Sequence, residues 1–343
     1  MQKIDVLVAG STGYIGIQLV KILSKHKNIN IKYLCGNSSV GKNISFFDKN
    51  LKNKKLPKIV KFKKKYLKNV NLIFTALPNG EAQILSKHLL KKNKLIDLAA
   101  DFRIKNPKEY KKWYKINHQA KKNIPDSIYG LPELNKTNLN NYKIIACPGC
   151  YPTSILLPLL PLVKNKKIYY KNIIIDSKSG YSGAGRKIHF THAKRNLYES
   201  LSAYGVGWHR HNSEIEQELK KTCKEKITFH FTPHLTPMFR GILSTIYIDL
   251  SKTQTAKSIY YFLKKNYKNK IFIKFANFNT PISTNDVINT NNCLISVCKT
   301  KYKNKVIILS AIDNLIKGGS GQAVQNMNII YKFPESRGLK WIS

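Results

Sequence analysis

Ile4-Asp-Val-Leu-Val-Ala-Gly10-Ser-Thr-Gly-Tyr-Ile-Gly16-Ile-Gln-Leu-Val-Lys-Ile-Leu-Ser-Lys25 decides the fold. Ile4 to Ala9 is a short apolar run of the kind a strand covered on both faces requires. Gly10, Gly13 and Gly16 form a turn in which small residues let backbone approach backbone or a phosphate, and Ile17 to Lys25 has helical spacing. Ile29 to Cys35 then reads as a second strand. Strand, glycine-rich turn, helix and strand open a parallel βαβ unit. Val70 to Ala76 and Lys94 to Ala100 repeat the strand pattern with a helix, Glu81 to Lys92, between them, so a doubly wound parallel sheet is expected.

The texture changes after Cys150. Lys171 to Ser177, Ile227 to His230, Ile242 to Leu250, Ile271 to Phe275 and Leu294 to Cys298 are β-rich and predict a mainly antiparallel sheet. Val306 to Met327 reads as a strand, a glycine-rich turn and an apolar helix that returns to the first domain. The expected division is 1–150 with 315–343, and 151–314. At 343 residues the chain exceeds what one hydrophobic core usually organises.

Sixty basic against 18 acidic residues give a net charge of +42. Such a field attracts phosphate backbones, but the lysines are scattered, only six of the basic residues are Arg, and Asn, Ile and Tyr are abundant as well. A compositional bias toward A- and T-rich codons accounts for all of these. No nucleic-acid and no membrane partner is expected. Six cysteines are too few and too unevenly placed for a disulfide framework, which fits a reducing compartment. The amino terminus runs straight into a strand, and the longest apolar run, Ile155 to Val163, contains Pro158 and Pro161 and is too short to span a bilayer. A cytoplasmic location is expected.

The second strand ends Tyr33-Leu-Cys-Gly-Asn-Ser-Ser39, with no Asp or Glu to clasp ribose hydroxyls. Ser38, Ser39 and Lys42 can instead accept a 2′-phosphate, so the expected cofactor is NADPH/NADP+. The most pointed chemistry lies in Cys147-Pro-Gly-Cys-Tyr-Pro-Thr153. Pro152 suits the first turn of a helix, which places Cys150 at its amino terminus, where the dipole favours a thiolate. A Cys147/Cys150 redox pair lacks its usual context, and Cys293 and Cys298 are a poor second pair for zinc, so no metal is expected. Cys150 is therefore read as a lone nucleophile with Cys147 a bystander. His209-Arg-His211 precedes a capping-box pattern, Ser213-Glu-Ile-Glu216, on the extended entry to a helix, and one of these histidines is the expected base. Tyr204 and Trp208 beside them read as packing.

Nine segments carry a resemblance to a known family: Gly10–Gly16, Ala76–Gly80, Asp97–Arg103, Tyr129–Glu133, Pro148–Thr153, Ser177–Arg186, His209–Gln217, Pro233–Gly241 and Asp313–Asn328. In that order they span nearly the whole chain, which resembles the N-acetyl-gamma-glutamyl-phosphate reductases of arginine biosynthesis, themselves similar to aspartate-semialdehyde dehydrogenases. Cys147 departs from the family pattern. The resemblance implies a Rossmann-type dinucleotide-binding domain, a catalytic and dimerisation domain, and a homodimer or homotetramer. It implies NADPH-dependent reduction of N-acetyl-L-glutamyl 5-phosphate to the 5-semialdehyde and phosphate through a Cys150 thioester.

His209 takes the acid/base role by its match to the motif, with His211 in reserve. The cofactor residues implied are Gly10, Ser11, Thr12, Gly13, Tyr14, Ile15, Gly16, Ser38, Ser39, Pro78, Ser179, Gly180, Gly183, Ala184 and Gln322. Arg103 is the candidate for the phosphate leaving group. Arg186, Arg210 and Arg240, with Glu214, are candidates for the rest of the substrate, since a lysine-favouring bias leaves Arg mainly where a planar fork is needed. The alternatives are an aspartate-semialdehyde dehydrogenase-like enzyme and a Lys-rich nucleic-acid-binding protein.

Overall fold

The computed structural model describes residues 3–186 and 199–339. The chain divides into two compact units, Met1–Gly149 with Gly319–Ser343, and Cys150–Gly318. No helix among the described residues is long and apolar enough to cross a membrane.

The first unit is built on a seven-stranded sheet in the order β3-β2-β1-β4-β5-β7-β6. Its strands are β1 (Ile4–Ala9), β2 (Ile29–Cys35), β3 (Ile59–Val60), β4 (Leu72–Thr75), β5 (Lys94–Asp97), β6 (Ser127–Tyr129) and β7 (Ile144–Ala146). All its ladders are parallel. Leu7, Ile73, Leu95 and Ile144 meet Phe102 and Leu85 in one core cluster, each such side chain contributing about 1.5–3 kcal/mol on burial. The strand order reverses between β1 and β4, so the carboxyl ends of these strands flank the crevice where open α/β sheets bind ligands.

The helices of this unit are α1 (Tyr14–Ser24), α2 (Glu81–Ser86), α3 (Pro107–Tyr114) and α4 (Pro132–Asn135). Helix α1 starts three residues earlier than its apolar spacing predicts, so Gly16 lies in its first turn. Helix α2 ends at Ser86 instead of reaching Lys92. The buried Asn93 amide is the reason: it donates to Leu67 O and Val70 O while its oxygen accepts from Leu90 N, holding the segment in a turn.

The second unit carries β8 (Ile173–Gly180), β9 (Ser202–Ala203), β10 (Phe229–Thr236), β11 (Ile242–Asp249), β12 (Ile273–Phe275), β13 (Cys293–Lys299) and β14 (Lys305–Ile312) in the order β12-β13-β14-β11-β8-β10-β9. The expected antiparallel pairing holds for β8/β11, β11/β14, β13/β14 and β9/β10, but β8/β10 and β12/β13 are parallel, so the sheet is mixed. Side-chain alternation cannot distinguish the two pairings. One face is covered by α5 (Cys150–Lys164) and α7 (Ala256–Asn266), with α6 (His211–Thr222) packed on α5. The last helix, α8 (Gly321–Ile330), belongs to the first unit.

Helix α5 survives two interior prolines. Pro161 leaves the Leu157 carbonyl without its helical donor, and the Tyr267 hydroxyl donates to that oxygen from the end of α7. A buried hydroxyl chain, Ser154–Ser244–Ser177 with 2.7 Å links, ties α5 to β11 and β8.

Candidate active site

At the end of β1 the three glycines have different reasons for being glycine. Gly10 has φ +81°, and a Cβ there would lie 2.2 Å from the Ala76 carbonyl oxygen. A Cβ on Gly16 would lie 2.1 Å from Gly10 O. These two let β1, β4 and α1 close on one another. Gly13, at the N-cap of α1, has only Gly10 O nearby, at 3.8 Å, which leaves room for a ligand at the helix end. Ser11 is fully buried, and both its hydroxyl and its backbone N–H donate to Cys35 O. Thr12, Tyr14 and Ile15 complete the turn into α1.

Beyond β2, Ser39 is buried and Ser38 exposed. They precede a cleft of about 710 Å³ lined by Lys42, Lys49, Lys52 and Lys58 with Phe46. The Lys42 ammonium lies 4.4 Å from the Phe46 ring centre. Pro78 is exposed in the turn after β4. The Asp101 carboxylate organises that turn, accepting from Gly80 N at 2.7 Å, Gln83 N at 3.3 Å and the Tyr110 hydroxyl at 2.8 Å.

Arg103 is fixed in plane: Nε donates to Cys147 O at 2.7 Å and Nη2 to Leu98 O at 2.9 Å. A buried guanidinium is thereby anchored on the strand end that leads into the Cys147–Cys150 turn. Asp97, fully buried, accepts from the Thr75 hydroxyl at 2.7 Å, and burial together with the nearby Asp101 raises its pKa. The Cys147 thiol is also fully buried, and desolvation pushes its pKa up to about 12. It stays protonated at neutral pH. Gln322 is completely buried in α8.

In the second unit, Cys150 is the first residue of α5 and half-buried. The backbone of Gly318 presses against it: a Cβ on Gly318 would lie 2.6 Å from Cys150 Cβ. Gly318 sits in a π-helical turn, Ile316–Ser320, a form often found at functional sites. The neighbouring Lys317 is fully buried with its ammonium 5.6 Å from the Phe272 ring centre.

His209 and His211 are both buried, and their ring centroids are 4.7 Å apart. The turn into α6 keeps both rings in one cluster. Helix α6 starts at His211, two residues before the predicted cap, and the Ser213 hydroxyl donates back to Arg210 O instead of capping. Both rings meet the edge or face of Tyr151, at 5.7 and 5.9 Å.

No motif or spacing in the sequence marks Tyr151, although it follows Cys150 directly. Its hydroxyl donates to His234 O at 3.1 Å and accepts from the Tyr204 hydroxyl at 3.1 Å. Burial raises both tyrosine pKa values, Tyr204 to about 12, and the charge of Cys150 contributes to each. Tyr204 is 37% exposed overall, yet its hydroxyl end belongs to this cluster and is more than packing.

Of the substrate candidates in this unit, Glu214 is fully buried in the first turn of α6, and Arg210 is exposed beside it. Arg240 pairs with the buried Asp313 at 3.2 Å and also donates to Asn289. Arg186 lies at the edge of the described residues. Ser179 and Gly180 end β8, where a Cβ on Gly180 would lie 2.7 Å from the Arg240 backbone, and Gly183 and Ala184 form the following turn. Buried Asn314, missed in the sequence, accepts from Gly241 N at 2.7 Å and donates to Ser182 at 3.0 Å, joining these segments.

The semialdehyde dehydrogenase NAD binding domain family matches residues 5–142, and the semialdehyde dehydrogenase dimerisation domain family matches residues 150–314. The chain is 42% identical to an N-acetyl-gamma-glutamyl-phosphate reductase of Desulforamulus reducens, covering 98% of each chain, and 42% identical to one of Campylobacter jejuni, covering 99% of each. A probable chloroplastic N-acetyl-gamma-glutamyl-phosphate reductase of rice is 38% identical over 99% of this chain and 82% of its own length.

The chain belongs to the N-acetyl-gamma-glutamyl-phosphate reductase family.

The family's fold is shared by more distant structures. Aspartate semialdehyde dehydrogenase II of Vibrio cholerae, solved with ASA, superposes with a TM-score of 0.72 at 17% identity, covering 97% of this chain and 99% of that one. The Candida albicans aspartate semialdehyde dehydrogenase, solved with NADP, has a TM-score of 0.69 at 16% identity, covering 96% and 99%.

Proposed function

We propose that this member of the reductase family converts N-acetyl-L-glutamyl 5-phosphate to N-acetyl-L-glutamate 5-semialdehyde and phosphate, with NADPH as reductant. The observation that carries the proposal is Cys150 at the first position of α5, in a chain that aligns from end to end with named reductases at 42% identity. The Cys150 thiolate attacks the acyl carbon, the carbon–oxygen bond to phosphate breaks, and a thioester remains. The bound nicotinamide supplies the hydride that reduces the thioester carbonyl. The adduct then expels the Cys150 thiolate as the aldehyde forms.

Arg103 serves the departing phosphate in this reading, its plane already set by two backbone carbonyls. Arg186, Arg210 and Arg240 with Glu214 serve the remainder of the substrate, Arg240 doing so from its pairing with Asp313. The glycine turn at β1, with the space beside Gly13, fits a dinucleotide pyrophosphate, and Ser179, Gly180, Gly183, Ala184 and Gln322 complete the cofactor set. Assembly as a homodimer or homotetramer is supported by the dimerisation-domain match and by Ile174 and Tyr247, 48% and 42% exposed on the sheet face opposite the helices.

The test is phosphate-dependent reduction of NADP+ with N-acetyl-L-glutamate 5-semialdehyde, run beside aspartate semialdehyde. A kcat/KM at least about 100-fold higher for the acetylated substrate is expected. A preference for aspartate semialdehyde overturns the substrate assignment.

Cofactor choice follows from charge. A hydrogen-bonded charged phosphate contributes about 1.5–3 kcal/mol, roughly 10- to 100-fold, and the lysine-lined cleft beyond Ser38 and Ser39 supplies the opposite charge. NADPH is expected to exceed NADH by that factor in kcat/KM. Equal values for the two cofactors contradict it.

A further inference from the structure

Asp313 follows β14 directly, and its carboxylate has every acceptor position taken. Oδ1 accepts from Leu315 N at 2.9 Å and Ile316 N at 3.2 Å, while Oδ2 accepts from Asn289 N at 2.9 Å and Arg240 Nη1 at 3.2 Å. Four donors match the lone-pair capacity of an ionised carboxyl, whereas a protonated one would turn its O–H on one of them. The side chain is completely buried, which raises its pKa, and the Arg240 charge and the three backbone N–H groups oppose that rise. A charge enclosed to this degree is tolerated only when all of it is paired.

The two oxygens face different tasks. On the Oδ1 side lies the start of the π-helical turn Ile316–Ser320, whose Gly318 N–H returns to Asp313 O at 3.0 Å and whose Gly318 backbone presses against Cys150. On the Oδ2 side lies Arg240, in the turn between β10 and β11. Its Nη1 is shared between Asp313 and the Asn289 side-chain oxygen, while the side chain remains 18% exposed and within reach of a ligand. Asn289 closes the triangle from a left-handed backbone conformation, φ +59°, presenting its N–H to Asp313 and its side chain to Arg240. The sheet brings these pieces side by side: Ile242, two residues after Arg240, pairs with Ile312, the residue before Asp313.

We propose that Asp313 is a positioning residue with two functions in one carboxylate: through Oδ2 it aims Arg240 at the carboxylate of the substrate, and through Oδ1 it sets the turn against which Cys150 is seated. This rests on the reductase reading above, in which Arg240 serves the part of the substrate away from the acyl phosphate. An arginine side chain is rich in rotamers, and locking one end of its fork lowers the entropy lost when a carboxylate docks on the rest. Both ends of the substrate are thereby held in register by a single buried group.

Asp313→Asn and Asp313→Ala divide the two functions. An amide has one accepting oxygen, and of the four donors only Arg240 is on a flexible side chain, so the oxygen stays with the turn and the NH2 displaces the arginine. Asp313→Asn is expected to raise the KM for the acyl phosphate by about 10- to 100-fold, the contribution of a charge-assisted hydrogen bond, with kcat within about threefold of wild type. Arg240→Gln should raise KM at least as much, and adding Asp313→Asn to it should raise KM no further, because both remove the same interaction. Asp313→Ala loses the acceptor for the turn as well and should lower kcat by about 100-fold.

The rate of Cys150 alkylation by iodoacetamide, read without substrate or cofactor, should stay within about twofold of wild type in Asp313→Asn and depart from it by about tenfold in Asp313→Ala. This arm needs no turnover and decides the Oδ1 function even if the substrate assignment fails, a failure that shows separately as inactivity of the wild type toward N-acetyl-L-glutamyl 5-phosphate. Thermal unfolding checks that each variant is folded; if Asp313→Ala is not, the KM of Asp313→Asn and of the double variant decides. A wild-type KM in Asp313→Asn overturns the proposal. So do KM effects of Arg240→Gln and Asp313→Asn that multiply in the double variant, or a wild-type kcat and alkylation rate in folded Asp313→Ala.

Discussion

Cys150→Ser is expected to lower turnover by at least about 10⁴-fold, while Cys147→Ser stays within a few-fold of wild type. A serine hydroxyl is a far weaker nucleophile than a thiolate unless a base activates it, and an ester accepts hydride less readily than a thioester. The two cysteines are separated by two residues and by opposite environments. Cys150 opens a 15-residue helix whose dipole and first-turn N–H groups stabilise a thiolate. Cys147 is fully buried with its thiol pKa pushed up to about 12 and accepts a long contact, 3.7 Å, from the Asn326 amide. The measurements are kcat with acyl phosphate and NADPH for each variant, and stoichiometric alkylation of the native protein followed by peptide mapping. Comparable losses in both variants, or alkylation at Cys147, would restore the dithiol reading.

The second large effect is expected where no side chain exists. Adding one methyl group at Gly318 places a Cβ 2.6 Å from Cys150 Cβ and 3.1 Å from Cys150 Cα, closer than carbon atoms pack. Gly318 is held by its own N–H bond to Asp313 O at 3.0 Å, and Cys150 is held by the helix it begins. The relief must therefore come partly from a displaced nucleophile. A shift of about 1 Å at a reacting atom costs about 100-fold. Gly318→Ala should accordingly lose about that factor in kcat while binding NADPH with an affinity within twofold of wild type, since the glycine turn at β1 is untouched. Isothermal titration with NADPH beside steady-state kinetics decides it. Wild-type turnover in Gly318→Ala would mean that the π-turn yields without moving Cys150.

Legibility in the sequence followed the range of the interaction responsible. The opening βαβ unit was readable because a strand, a glycine turn and a helix declare themselves within about 20 residues through apolar spacing. Cys150 was readable for the same reason, with Pro152 two residues beyond marking a first helical turn. Helix α6 starts two residues ahead of the capping pattern because the Ser213 hydroxyl donates back to Arg210 O, while the His211 N–H donates to His209 Nδ1 from outside the helix. Tyr204 reads as packing in the sequence because nothing local reveals a hydroxyl bond to a residue 53 positions away.

By itself, the sequence determined the opening βαβ unit, the strands β4 and β5 with α2 between them, the place of Cys150 at a helix start, and the family. Each rests on residues adjacent in the chain or on motif order along it. Tertiary structure alone decided that β8/β10 and β12/β13 run parallel, since a strand buried on one face shows the same alternation whichever way its neighbour runs. It also decided that α5 tolerates Pro161, through a tyrosine 110 residues from the carbonyl it satisfies, and that Gly318 must be glycine because Cys150 lies against it. It also enclosed the His209 ring among Tyr151, Tyr204 and Phe231 and aimed its Nδ1 at the His211 N–H, with neighbours that come from α5, the segment before Gly205 and β10, far apart along the chain.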